Sequence, residues 1–205
     1  LEALARRGLE VVGIDNSPEM TSFAERRLRE ARLKGRVVLA DMSDFGLCER
    51  FDGAVCPINT LAHLRPLELD RHFDCMGRHV EAGAHYLVQL ALRTADDSAD
   101  AHHVSTWEMS SERTRLRITW TTEELDFAAG LERQRSRIEI LEGERAGDVI
   151  EELHVITLWT PDAWTAAVAA SPFTRTATYD GEQPRRPLVS EDQPGRLLWH
   201  QLTPE

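Results

Sequence analysis

The chain has 205 residues, enough for one full domain with a good core and a small appended lobe. Its formal charge is −11, with 24 Lys and Arg residues scattered among 35 Asp and Glu, which argues against a broad nucleic-acid or membrane-surface footprint and favours a small-molecule substrate. Cys48, Cys56 and Cys75 form no CxxC pair, no apolar run approaches membrane-spanning length and no signal-peptide pattern stands at the amino end, so a reduced, cytoplasmic setting is expected.

Leu1 to Gly8 reads as the tail of an apolar helix closed by a C-terminal glycine. No initiator Met, strand or glycine-rich turn precedes it, and the expectation is a fragment. Val11-Val12-Gly13-Ile14-Asp15 is a short apolar run that ends in an acid. Ser17-Pro18 then starts a helix at once, the Ser hydroxyl capping free N–H groups and Pro losing no bond at the first position. That helix should run to about Arg32. Gly35 breaks it, and Val37 to Ala40 is a continuous apolar run of the kind buried on both faces of a parallel sheet, again ended by an acid, Asp41.

Phe51 to Cys56 is the next predicted strand, and Pro57-Ile58-Asn59-Thr60 leaves it as a turn. Leu67 to Val80 suits a helix, with Leu69, Phe73, Met76 and Val80 on one face. Gly83 opens a strand from Ala84 to Leu92. Strands alternating with helices predict a parallel sheet with crossovers, whose ligands sit outside the strands' carboxyl ends.

After Arg93 the pattern changes: residues 95–100 read as a polar loop, and about sixty residues then alternate with a period of two. Arg113, Arg115 and Arg117 form one such stretch, Arg133, Arg135 and Arg137 a second, and Val149 to Trp159 a third. This predicts a small antiparallel sheet, inserted as a lid or wall. The arginines read as its solvated face, with Glu108, Glu132 and Glu139 as countercharges, or, more sharply, as forks for an anionic substrate. Trp107, Trp120 and Trp159 read as the lobe's small core, or as walls of an aromatic or alkylamine pocket. A helix through about Ala170 follows Thr160-Pro161, and Thr174 to Tyr179 and Arg196 to Leu202 are strands joined by a Pro-rich acidic loop.

Taken together, these residues resemble the class I S-adenosylmethionine-dependent methyltransferases of small-molecule type, over Leu1 to Leu92 and Pro161 to Leu202. The run ARRGLEVVGIDNSPEM looks like that family's second strand and helix, which puts Asp15 in place of the acid that holds the adenosine ribose. VVLADM looks like the third-strand motif, where Asp41 would meet the adenine amino group and Met42 would pack on the ring. FDGAVCPINTLAHL looks like the fourth strand and exit loop, beside the methionine end of the cofactor and the acceptor. The resemblance implies an α/β fold with a Rossmann-like, mostly parallel sheet and an antiparallel C-terminal hairpin, plus the inserted antiparallel β lobe. The corresponding units are a core at residues 1–95, the lobe at 96–159 and a core-completing helix and hairpin at 160–205. The family's first strand and glycine-rich loop are absent, which would leave a gap in mid-sheet with unpaired backbone groups, and cofactor binding by such a fragment should be poor.

The cofactor implied is S-adenosylmethionine, with Asp15, Asn16, Met20, Asp41, Met42, Cys56 and Asn59 as its candidate contacts. Thr60, Trp107 and Trp120 are candidates for the acceptor, and His63 for a base that takes the acceptor's proton. Each has a plainer alternative: Asp15 as a helix-entry residue, Asn59 and Thr60 as turn residues, His63 as packing at a helix start. His72, Cys75 and His79 share a helix face that zinc can use, but they flank the apolar stripe of a packed helix, and no metal is expected. His102-His103 has no partner spacing. The reaction implied is direct in-line methyl transfer to a nitrogen or oxygen of a small acceptor, which requires no covalent nucleophile. Two alternatives stay open: an NAD-dependent oxidoreductase fragment, in which an acid at the same strand end also reads ribose, and a non-catalytic binding subunit with a degenerate fold. Neither nucleic acid nor membrane is an expected partner, and the lobe serves either the acceptor or contacts between copies in a homo-oligomer.

Overall fold

The computed structural model describes residues 1–100, 103–111, 113–181, 187–188 and 197–205. His102, Arg196 and nearly all of the Pro-rich acidic loop lie outside the described residues. Helix α1 (Glu2–Ala5) ends ahead of Gly8, whose φ of +87° turns the chain into β1 (Val11–Asp15). Ser17 then caps α2 (Pro18–Glu30), its hydroxyl accepting the Met20 amide at 3.2 Å. Strand β2 (Gly35–Leu39) runs parallel to β1 in a two-stranded sheet. Gly35 sits there because a Cβ would lie 2.5 Å from the Val11 side chain and 2.6 Å from its carbonyl oxygen. The expected burial of β2 on both faces is not met: Val37 is buried but Leu39 is 55% exposed. Leu39 stands on the same face as Val37 but lies outside the cluster of Ala5, Val11, Leu28 and Val37 that fills that face.

Strand β3 (Phe51–Cys56) leads through a 3₁₀ turn at Thr60–His63 into α3 (Pro66–His79). The Glu68 carboxylate accepts the Arg65 amide at 2.8 Å and, with Pro66 in the first turn, fixes where α3 starts. Strand β4 (Val80–Ala91) begins four residues earlier than the sequence suggests, and Gly83, at φ +80°, lies inside it where the register against β3 slips. Residues 95–100 form a 3₁₀ turn rather than a plain loop, with the Asp97 carboxylate accepting the Thr94 amide at 2.6 Å.

Strands β5 (Val104–Ser110), β6 (Arg115–Asp126), β7 (Leu131–Glu142) and β8 (Val149–Thr157) form an antiparallel meander. The chain leaves and re-enters the core at one place: Leu92 bridges Trp159, and the Arg93 amide donates to the Trp159 carbonyl at 2.7 Å. Helix α4 (Pro161–Ala169) and strands β9 (Phe173–Asp180) and β10 (Leu197–Pro204) follow. Strand β10 pairs antiparallel with both β4 and β9, giving the order β3-β4-β10-β9. The α/β sheets are therefore of mixed orientation rather than mostly parallel, since among the strands of the described residues only β1 with β2 and β3 with β4 pair in parallel. Among the described residues no ladder joins β1 to β3.

The main core lies between α3, α4 and the β3-β4-β10-β9 sheet. Phe73, Tyr86, Trp164 and Phe173 meet there with ring centroids 5.8–5.9 Å apart. Each such side chain contributes about 1.5–3 kcal/mol by leaving water. Trp159 belongs to this core, 6.2 Å from Trp164, not to the β5–β8 sheet as its sequence neighbours suggest, and Trp107 is 43% exposed. The strand end carries Trp159 back to the core along with the chain.

On the sheet, Arg115, Arg117, Arg133, Arg135 and Arg137 pair with glutamates, as a solvated ladder should. Glu132 is not one of their countercharges. It stands one residue out of phase, on the opposite face, where it is buried against Arg93. All three cysteines are free, and no helix among the described residues is long and apolar enough to cross a membrane.

Candidate functional site

Strands β1 and β2 end side by side, and the loops beyond them face the 3₁₀ turn after β3. The result is a cavity of about 250 Å³ lined by Ile14, Asp15, Asn16, Ala40, Asp41, Met42, Ser43, Thr60, His63, Leu64 and Glu68. Asp15 and Asp41 are held alike. Asp15 Oδ1 accepts the Ser17 amide at 2.8 Å, and Asp41 Oδ1 accepts the Ser43 amide at 2.7 Å and its hydroxyl at 2.8 Å. Each carboxylate thus fixes its own turn with one oxygen, Oδ1. The Ser43 amide and hydroxyl bonds hold the Asp41 carboxyl below its usual range. A second hollow, of about 330 Å³, lies at the opposite end of β2 and is lined by α2 and β2 residues such as Leu28, Arg29 and Arg36.

Helix α3 holds the loop that carries Met42. The His72 Nδ1–H donates to the Met42 carbonyl at 2.7 Å, and Nε2 accepts the Tyr86 hydroxyl at 2.7 Å. Burial lowers the His72 pKa, so the ring is neutral and its tautomer follows from the carbonyl it meets. Burial also pushes the Tyr86 hydroxyl well up and the Cys56 thiol to about 11, and these two groups are hydrogen-bonded to each other. Farther along, the Leu47 amide donates to His79 Nε2 at 2.8 Å, and Cys75 Sγ lies 3.8 Å from the Ser43 carbonyl. The three zinc-spaced residues of α3 are thus occupied in fastening residues 42–47, and no group of metal-ligating side chains occurs among the described residues.

Of the candidate residues, Asp15, Asn16, Asp41, Met42, Thr60 and His63 share the cavity. Met20 is 53% exposed on α2, where only its amide serves the Ser17 cap. Cys56 and Asn59 do not line the cavity, and Asn59 Oδ1 accepts the Ala91 amide at 2.9 Å. Trp107 lies far out on β5 and Trp120 on the inner face of β6; neither lines the cavity. Glu68 is a lining residue that the sequence reading missed, since Arg65 and not a Ser or Thr stands three residues before it. Burial and the nearby His154 lower the His63 pKa, against an opposing pull from Glu152.

Residues 1–83 match the family profile of the methyltransferase domain. Among solved structures, an S-adenosylmethionine-dependent methyltransferase from Clostridium acetobutylicum ATCC 824 superimposes with a TM-score of 0.77 at 16% identity, over 98% of this chain and 78% of that one. DesVI of Streptomyces venezuelae gives 0.73 at 19%, over 95% and 74%. CalS10 of Micromonospora echinaspora, an amino pentose methyltransferase solved with S-adenosylmethionine, gives 0.70 at 19%, over 98% and 77%. No curated protein sequence matches the chain. Residues 1–83 thus carry the pattern of a methyltransferase domain, and the chain shares the fold of solved S-adenosylmethionine-dependent methyltransferases.

Proposed function

We propose that the cavity between the ends of β1, β2 and β3 binds the adenosine end of S-adenosylmethionine, and that the chain transfers the cofactor's methyl group to a nitrogen or oxygen of a small acceptor. The observation that carries this reading is the pairing of Asp15 with Asp41 across one cavity, each fixed in its own turn through Oδ1. One carboxylate accepts from ribose hydroxyls, a second accepts from an adenine amino group, and Met42 offers an apolar surface to the ring. The carboxylates of Asp15, Asp41 and Glu68 also suit a cationic ligand, and 250 Å³ is room for the nucleoside end rather than the whole cofactor.

When bound, the cofactor supplies a methyl group on a sulfonium sulfur, which keeps the bonding pair as the acceptor's lone pair takes the carbon. Protein residues then have three tasks: to hold the adenosine, to align the acceptor and to receive its proton. Thr60 and His63 line the cavity on its β3 side, and His63, whose pKa is lowered by partial desolvation and by His154, is the group able to take that proton. An amine acceptor is favoured by relatives described as a sugar N-methyltransferase and a glycopeptide N-methyltransferase. We read the β5–β8 sheet as a lobe inserted between the end of β4 and α4, and the β9–β10 pair as the hairpin that closes the core sheet.

The direct test is incubation of the full chain with cofactor labelled in its methyl group and a panel of amino sugars and simple amines. Adenosylhomocysteine formed in step with label in the acceptor supports the reading. A chain that binds NAD and ignores adenosylhomocysteine contradicts it.

A further inference from the structure

The inner face of the β5–β8 sheet carries a connected set of polar and aromatic side chains that starts at the core and ends beside His63. The Glu132 carboxylate is buried and accepts both arms of the Arg93 guanidinium, at 2.7 and 3.0 Å. It also accepts the Gln134 amide at 2.5 Å and the Thr122 hydroxyl at 3.3 Å. Gln134 in turn accepts the Trp120 indole N–H at 2.8 Å. The Trp120 ring stacks on His154 of β8 with centroids 4.8 Å apart and 15° between planes, and His154 Nε2 lies 3.0 Å from the Ser136 hydroxyl. Finally the His154 ring meets His63 at 6.3 Å, almost perpendicular at 82°. The Thr157 hydroxyl, three residues on, donates to the Leu64 carbonyl at 2.7 Å and fixes β8 against the turn that carries His63.

We propose that His154 is the positioning residue for His63, and that the Glu132–Gln134–Trp120 network holds His154 at the angle that aims the His63 ring into the cavity. This rests on the methyl-transfer reading, in which one proton passes from the acceptor nitrogen or oxygen to a His63 ring nitrogen as the methyl group arrives. A side chain on a short 3₁₀ turn is otherwise free to rotate, and a proton acceptor that is misaimed by an ångström loses most of its effect. The stack and the Ser136 hydroxyl leave His154 one orientation, and its edge-on contact leaves His63 few. The charged and titratable groups around His63 are His154 and Glu152 on β8, Glu68 on α3, and Asp15 and Asp41 at the ends of β1 and β2.

The test compares the full chain with its His154→Phe and Ser136→Ala variants by NMR titration of the His63 imidazole, by cofactor calorimetry and by steady-state kinetics. Phe keeps a ring on Trp120 but removes the neighbouring imidazole. In His154→Phe, His63 should titrate at higher pH, the acid limb of kcat should move the same way, and kcat should fall about 10- to 100-fold with cofactor affinity unchanged. Ser136→Ala leaves the fold and both imidazoles in place, and should lower kcat in the same direction by a smaller factor. Identical His63 titrations and kcat values in all three proteins would overturn the proposal, as would an effect confined to cofactor affinity. Failure of the methyl-transfer reading is seen separately: the wild-type chain then forms no adenosylhomocysteine, while the His63 titration still reports the coupling.

Discussion

His72 reaches from the buried face of α3 to the carbonyl of Met42, 2.7 Å away, and is itself held by Tyr86 at the same distance. The loop after β2 is therefore fastened to the core through a side chain, not by a strand ladder. Replacing His72 with Phe preserves the ring but strands the Met42 carbonyl and the Tyr86 hydroxyl. A buried polar group left unpaired costs about 1–3 kcal/mol, so His72→Phe should lower unfolding stability by that order in a urea titration. Cofactor affinity should fall about 10-fold with it, because Asp41 and Met42 lose their fixed position.

Ile58 holds φ at +60° with its side chain 79% exposed, and its amide donates to the buried Gln89 at 2.7 Å. A β-branched residue in the left-handed region is strained by about 1–2 kcal/mol, and this one recovers little by burial. Ile58→Gly should keep the amide bond to Gln89 and raise stability by about 0.5–1 kcal/mol after the added chain entropy of glycine. The midpoint of chemical denaturation checks it. A midpoint lower than the wild type's means that the side chain serves the fold in another way.

His200 is fully buried against Trp164, with ring centroids 5.3 Å apart and no hydrogen-bond partner for Nε2 among the described residues. Burial, with help from the charge of Arg175, lowers its pKa from 6.5 to about 3. Between those two values the unfolded chain binds a proton that the folded chain refuses, so stability is whole above pH 6.5 and falls as the solution is acidified toward 3. By pH 5 the loss from this one group is about 2 kcal/mol. His200→Leu should be less acid-sensitive over that range, as read from denaturation midpoints at pH 7 and pH 5.

Local signals account for much of what the sequence made legible. Strands β1 and β3 have the bounds expected of them because apolar runs are closed by Ser-Pro and Pro. The residues at strand carboxyl ends, Asp15 and Asp41, share a cavity because parallel pairing brings those ends together. The start of β4 was hidden because Val80 completes the apolar face of α3 before it begins the strand. Trp159 was misplaced because its position depends on Trp164 and on the return of the chain beside Leu92, neither visible locally. Glu132 was legible and misread: its phase against Arg133, Arg135 and Arg137 already put it on the other face of the sheet. His154 shares that inner face with Glu132 and Ile156, but only the tertiary contact with the 3₁₀ turn gives it a role.

The account depends most on the carboxylate of Asp15, and Asp15→Asn probes it with least disturbance, since the amide oxygen still accepts from Ser17. Calorimetric titration of the full chain with S-adenosylhomocysteine is the measurement. The account predicts a 10-fold or greater weakening, the cost of about 1.5–3 kcal/mol for losing a charged hydrogen-bond acceptor, with the folding midpoint little changed. Equal affinity in the wild-type chain and Asp15→Asn would contradict it.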